Sequence, residues 1–342
     1  MSRAENPSHT VPSSVLSTSF EVKASLDATL EKYQALDLQA TVKFLKVLFN
    51  YLPLDGQRNL AEDVFGCQSD AEIRQLADCL DTGFLRPMLS IAPFPRLARR
   101  LARRPCRLAF DDSMELNASD LESATENEQQ QLRRNCLSRD GYQCVVTKIW
   151  DRDSDHPPEL RQGSLLAAHI IPFSFGRFQS DDDREQTSLV WGNIFRFFPS
   201  LRSHVNLTPG DVNREDNVIA MLSAPQEEFV NFRFVLEAPE IPGHYRLKTF
   251  PGFSDYLNRH FPHDNIVVIS HHHSHFGVPR PEFLDLHAAI RNILNDSGKD
   301  KVIEKLLYDF RDTGALARDG STNIGGLLSV SQLSVLASDR VD

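Results

Sequence analysis

The chain has 342 residues, 41% of them apolar and 25% charged, the make-up of an ordinary folded protein rather than a fibrous or disordered one. No run approaches the roughly 18 uninterrupted apolar residues of a membrane span, and the opening residues lack the apolar core of a secretory signal, so a cytosolic or nuclear protein is expected. A formal net charge of −10 opposes long-range attraction to nucleic acid or anionic membrane, although a local basic face can outweigh the sum.

Residues 1–20 are rich in Ser, Thr and Pro and read as a tail. A helical region is expected over 21–110. Apolar residues recur at helical spacing from Ser25 to about Leu52, and Pro53 marks a stop. A second helix is expected over Gly56–Val64. A third opens at the capping-box pattern Ser69-Asp70-Ala71-Glu72 and runs toward Leu85. Six arginines then fall within twelve residues, among them Arg96, Arg99, Arg100, Arg103 and Arg104. Such a tract serves either as a phosphate-binding helix or nuclear address, or as a solvated helix paired with the acidic segment 111–130, itself read as a linker.

From 131 onward the pattern mixes helix and strand. The Cys144-Val145-Val146-Thr147 run predicts a short strand after the turn signal Asp140-Gly141. The five cysteines form no C-x-x-C pair, which argues against a thiolate zinc site and a disulfide framework, and Cys144 reads as core. The apolar run before Pro172 predicts a strand with His169 at its end. Asp181-Asp182-Asp183 reads as a solvated acidic segment, and 189–198 as an amphipathic helix whose aromatic residues pack inward. Strands are expected over 232–236, 245–250 and 265–270. His271, His272, His273 and His275 follow the last; alternation would put three of these rings on one face, able to hold Zn²⁺, while an exposed polar loop is the plainer reading. A closing helix over 281–307 carries His287 among apolar neighbours, and 331–342 is a tail.

Three features together resemble the HNH nuclease family in its fungal form: Ala167-Ala168-His169-Ile170-Ile171-Pro172-Phe173, the later Asn213-Arg214-Glu215-Asp216-Asn217-Val218-Ile219, and Gln226-Glu227-Glu228-Phe229. The resemblance implies an α+β protein: a helical N-terminal region followed over 131–330 by a ββα-metal domain with extra strands and the closing helix. It also implies metal-dependent hydrolysis of nucleic-acid phosphodiesters. His169 takes the place of the general base, a task that suits imidazole near neutral pH. Asn217 fits the middle asparagine that braces the loop, with Asn213 the second choice.

The family implies a divalent metal, Mg²⁺ or Zn²⁺, held in part by a histidine three residues before Phe229. Gln226 stands there, a poor ligand for a transition metal, so impaired metal binding is expected, with Glu227 or Glu228 the available substitutes. Two other readings stay open. One is an HNH fold kept as a binding or regulatory module, and the other a metal-independent cyclase or isomerase using His169 on a small molecule.

Overall fold

The computed structural model describes residues 13–33, 35–89, 126–172, 175, 181–238, 241–270 and 275–301. Arg96, Arg99, Arg100, Arg103 and Arg104, the segment 111–125, and His271, His272 and His273 lie outside them.

The N-terminal region is built from α1 (Ser13–Leu30), α2 (Gln39–Tyr51), α3 (Leu54–Gly66) and α4 (Asp70–Leu80), the last running on through a π-helical turn at Asp81–Leu85. The single helix expected over 25–52 is broken in two. Unbroken, it would extend roughly 42 Å and carry its ends past the core. Instead the chain turns near Tyr33, whose hydroxyl donates to the Cys67 carbonyl at 3.1 Å, and α1 packs on α3 while α2 packs on the closing helix. Helix α1 also begins inside the segment expected as tail. The capping pattern at Ser69 does start a helix: Ser69 Oγ accepts from Glu72 N at 3.3 Å, and the Glu72 carboxylate reaches back to Gln68 N at 2.7 Å.

Helix α5 (Glu126–Arg139) leads into a knuckle that ends in β1 (Trp150–Asp151), paired in parallel with β2 (Gln162–Gly163). The expected strand at Cys144–Thr147 is a turn: Lys148 adopts a left-handed φ of 57°, and Lys148 N donates back to Cys144 O at 2.8 Å. Strand β3 (Leu165–His169) pairs antiparallel with β4 (Val218–Leu222), in a register that sets Leu165 opposite Leu222 and His169 opposite Val218. Helix α6 (Asp181–Phe197) lies in the connection between them. Helix α7 (Ser223–Val230) follows β4 at once and packs across both strands, completing a ββα unit. A meander of β5 (Phe234–Glu237), β6 (His244–Thr249) and β7 (Ile266–Val268) comes next, and α8 (Pro281–Ser297) closes the structure against β5 and α2. The protein is thus α+β, with a helical N-terminal region and small sheets confined to the C-terminal part.

One apolar cluster runs from Leu26 to Leu294 and includes residues of both parts. Trp191, Ile194 and Phe197 of α6 are fully buried, and Phe84 packs against Phe197 and Phe198 at 5.9 and 6.2 Å between ring centres. Gly56 sits so close to the Phe197 carbonyl that a Cβ there would overlap it. Polar ties reinforce this contact: Arg196 bridges to Asp63, and Asn193 donates to Gly83 O at 2.9 Å. Among the described residues no helix is long and apolar enough to cross a membrane.

Among the described residues strand β4 has a strand partner on one edge only, yet its first four residues are buried. Buried backbone groups need partners. Arg139 and Asp140 supply them on the outer edge: Arg139 Nη2 donates to Val218 O at 2.7 Å, and Asp140 Oδ2 accepts from Ala220 N at 2.9 Å. Val145 N donates to Ala220 O at 2.9 Å. Arg139 and Asp140 also pair directly at 2.6 and 2.8 Å, with the arginine fully buried. Breaking a buried pair from one side costs about 3–5 kcal/mol because the remaining charge is stranded. Asp140→Ala is therefore expected to lower unfolding free energy by roughly that amount in urea denaturation. A change within experimental error would refute this role.

Candidate active site

His169 closes β3, half-buried, where the strand gives way to Ile170-Ile171-Pro172. Its Nε2 lies 3.3 Å from Asn213 Oδ1. Because the amide oxygen is an acceptor, the ring nitrogen facing it carries the proton, and in the neutral ring the lone pair then resides on Nδ1. Burial pulls the His169 pKa down to about 4, while the hydrogen bond that the ring donates to Asn213 pushes it upward. At neutral pH the imidazole is uncharged, the form in which it can accept a proton.

The loop facing His169 is held residue by residue. Asn217 is fully buried; its Nδ2 donates to Ile171 O at 3.0 Å and Val212 O at 2.8 Å, while its Oδ1 accepts from Ile171 N at 2.8 Å. Its backbone carbonyl accepts from Ile170 N at 2.9 Å, extending the β3–β4 ladder by one bond. Asp216 accepts from both Arg214 and Arg280. Glu215 takes Asn135 Nδ2 at 2.6 Å through its side chain and Arg139 Nη1 at 2.6 Å through its carbonyl. The two asparagines thus divide the work: Asn217 fixes the loop to the end of β3, and Asn213 touches the ring. Reading by pattern put Asn217 first and Asn213 second, because spacing alone does not say which amide reaches the imidazole.

The expected metal positions are less well placed. Gln226 is half-buried in α7 and Glu227 is exposed. Glu228 is buried, and its carboxylate is committed to Arg233 Nη1 at 3.0 Å and Ser254 N at 3.2 Å. Among the described residues no three His, Cys, Asp or Glu side chains gather into a group that could hold a metal ion. The described donor set therefore does not fit the divalent cation that the resemblance implies. His275 is exposed.

Residues 144–237 match the family model described as HNH endonuclease. This segment is an HNH nuclease-like domain. The match runs from the knuckle at Cys144 through the ββα unit to the end of β5, so it contains His169, Asn213, Asn217 and Gln226. No curated protein and no solved structure matches the chain.

His287 of α8 packs against the back of this HNH domain. It is buried between the rings of Phe229 and Phe232, at 4.2 and 4.1 Å, and its Nε2 bonds to Phe229 O at 3.2 Å. Burial pushes its pKa down to about 3. The ordinary histidine value is 6.5, so below that pH the unfolded chain takes up a proton that folded His287 and His169 refuse. Stability is thus fully present above pH ~6.5 and is lost as pH falls toward the folded values, by ~1.4 kcal/mol per pKa unit of separation. His287→Gln should flatten the fall in thermal midpoint between pH ~6.5 and ~4; an unchanged slope would clear His287 of the effect.

Removing each asparagine should separate the two roles. Asn217→Ala strands three buried backbone groups, at about 1–3 kcal/mol each, and is expected to destabilise the fold strongly. Asn213→Ala should leave the denaturation midpoint nearly unchanged while lowering the His169 pKa in an NMR titration. Asn213→Asp should raise it by placing a carboxylate beside the imidazolium. A His169 pKa indifferent to both substitutions would contradict the contact.

Proposed function

We propose that this protein acts on nucleic acid as an HNH-type phosphodiesterase with its proton-accepting half intact and its metal half impaired. The observation that carries the reading is His169, neutral at physiological pH, held by Asn213 at the strand end that Asn217 ties to the facing loop. In that role His169 takes a proton from the attacking water as its oxygen bonds to phosphorus, the bond from phosphorus to the 3′ oxygen breaks, and the 3′ oxygen takes a proton from solvent. With a pKa near 4 the ring is a weak base in the open site. An anionic phosphodiester beside it would favour the imidazolium and strengthen it.

No step is assigned to a metal, since the described residues do not assemble a site for one. Glu227 is the substitute ligand left unburdened by structure, given the ties of Glu228. The same ties favour a second reading, in which the HNH domain is kept as a binding module and Glu228 serves stability. A cytoplasmic or nuclear location suits either.

The test is calorimetric titration of chelator-treated protein with Mg²⁺, Mn²⁺, Ni²⁺ and Zn²⁺, beside plasmid nicking. Wild type is expected to bind transition metals weakly, and Gln226→His to gain a site. Wild type should nick slowly in Mg²⁺, and His169→Ala should slow nicking by about 10²–10⁴-fold. Nicking unaffected by His169→Ala would remove the proposed base. A wild type that binds DNA but never nicks it would favour the binding module.

A further inference from the structure

Away from His169 the knuckle between α5 and β1 forms one wall of a cavity of about 240 Å³, bounded also by the chain before β2 and by the turn after the short helix Asp255–Asn258. Thr147, Lys148, Trp150, Arg161, Arg259 and His260 line it, and no carboxylate does. In a chain of net charge −10 that is a concentrated positive patch. Arg161 and Arg259 make no ion pair among the described residues, unlike Arg139, Arg196, Arg214, Arg233 and Arg280. Arg259 lies over the exposed ring of Tyr256 at 5.0 Å, and that ring also packs on His260 at 5.4 Å. His260 Nδ1 is buried with no hydrogen-bond partner among the described residues, in a structure where buried polar atoms normally have one. Lys148 Nζ donates to Val268 O at 2.9 Å, which fastens the knuckle to β7.

We infer that this cavity is a second contact point for nucleic acid, binding one backbone phosphate through Arg161 and Arg259. The inference rests on the proposed nucleic-acid substrate and names where, beyond His169, the strand is held. Size supports a group rather than a whole nucleotide, since pockets for complete small-molecule ligands run to about 300–1,000 Å³. Guanidinium groups suit the chemistry because their paired N–H donors match phosphate oxygens. The exposed Tyr256 ring beside Arg259 offers a surface on which an adjacent sugar or base can rest. Reach is also compatible. Arg161 precedes His169 by eight residues, so the two are at most about 28 Å apart along the chain. Roughly eight base pairs of duplex, at about 3.4 Å each, cover that span.

The test measures binding separately from cleavage. Full-length protein in chelator is titrated into a fluorescent DNA duplex over a series of salt concentrations, as wild type, as Arg161→Gln/Arg259→Gln, and as the surface control Arg58→Gln. The double variant should bind about tenfold or more weakly at low salt, with the slope of log affinity against log salt reduced by about two. The control should match wild type. A charge-restoring Arg161→Lys/Arg259→Lys variant should recover most of the salt slope, which a folding defect would not allow. Unchanged affinity and slope in the glutamine variant overturn the inference. So does loss of thermal protection by inorganic phosphate with DNA binding intact, which would assign the cavity to a free phosphate compound. Wild type that binds DNA through these arginines but never nicks it sustains the cavity and removes hydrolysis, so the two failures are distinguishable.

Discussion

Everything at the candidate site hangs on how a two-stranded hairpin with a buried outer edge is kept satisfied. Strand β4 bonds β3 on one side; on the other, where a wider sheet would place another strand, it meets a guanidinium, a carboxylate and one backbone amide. Arg139 also reaches the carbonyls of Glu215 and Gly277, so one buried side chain joins α5, the loop before β4, β4 itself and the approach to α8. A neutral side chain of similar length would satisfy fewer of these carbonyls and leave Asp140 without its counter-charge. The pair thus has a geometric task, fixing the entry to β4, which an apolar replacement of equal volume would not perform.

From that fixed entry the loop Asn213–Asn217 gains its rigidity, and from the loop the imidazole gains its place. The anchors engage both backbone and side chains: Asn217 holds the backbone of Ile171 and Val212, the Asp216 carboxylate holds Arg214 and Arg280, and Glu215 takes Asn135 through its side chain and Arg139 through its carbonyl. A loop with so many internal ties loses little entropy when a substrate arrives, because its ordering was settled on folding. Burial around His169 has the opposite electrostatic effect. It keeps the ring neutral at physiological pH but weakens it as a base, and a bound phosphodiester is the kind of neighbour that offsets this.

Much of this was legible in the residues. The apolar run stopped by Pro172 gave the strand ending in His169, and His287 among apolar neighbours is a core histidine stacked between phenylalanines. Other features were not, for physical reasons. Val145 and Val146 carry strand propensity, yet the left-handed backbone at Lys148 folds the segment into a turn that no local preference reveals. The break between α1 and α2 reflects packing on α3 and α8, which lie far off in sequence. Asp140 reads with Gly141 as a turn signal, because nothing in a linear pattern says that its charge and that of Arg139 point inward. The cavity of Arg161 and Arg259 joins segments almost a hundred residues apart, so neither arginine stands out alone.

The two halves of the HNH pattern differ in how tightly the fold holds them. His169, Asn213 and Asn217 sit where strand pairing and loop closure dictate their positions, so the same bonds that stabilise the domain hold them in place. The α7 positions have no such protection. Gln226 is half-buried and Glu227 exposed, while Glu228 ties α7 to Arg233, just before β5, and to Ser254 N. A ligand on that helix face could be exchanged with little penalty in folding, whereas loss of Asn217 would disturb the hairpin. On the proposed nuclease reading, fixed cations such as Arg161 and Arg259 would help hold a polyanion against a net charge of −10.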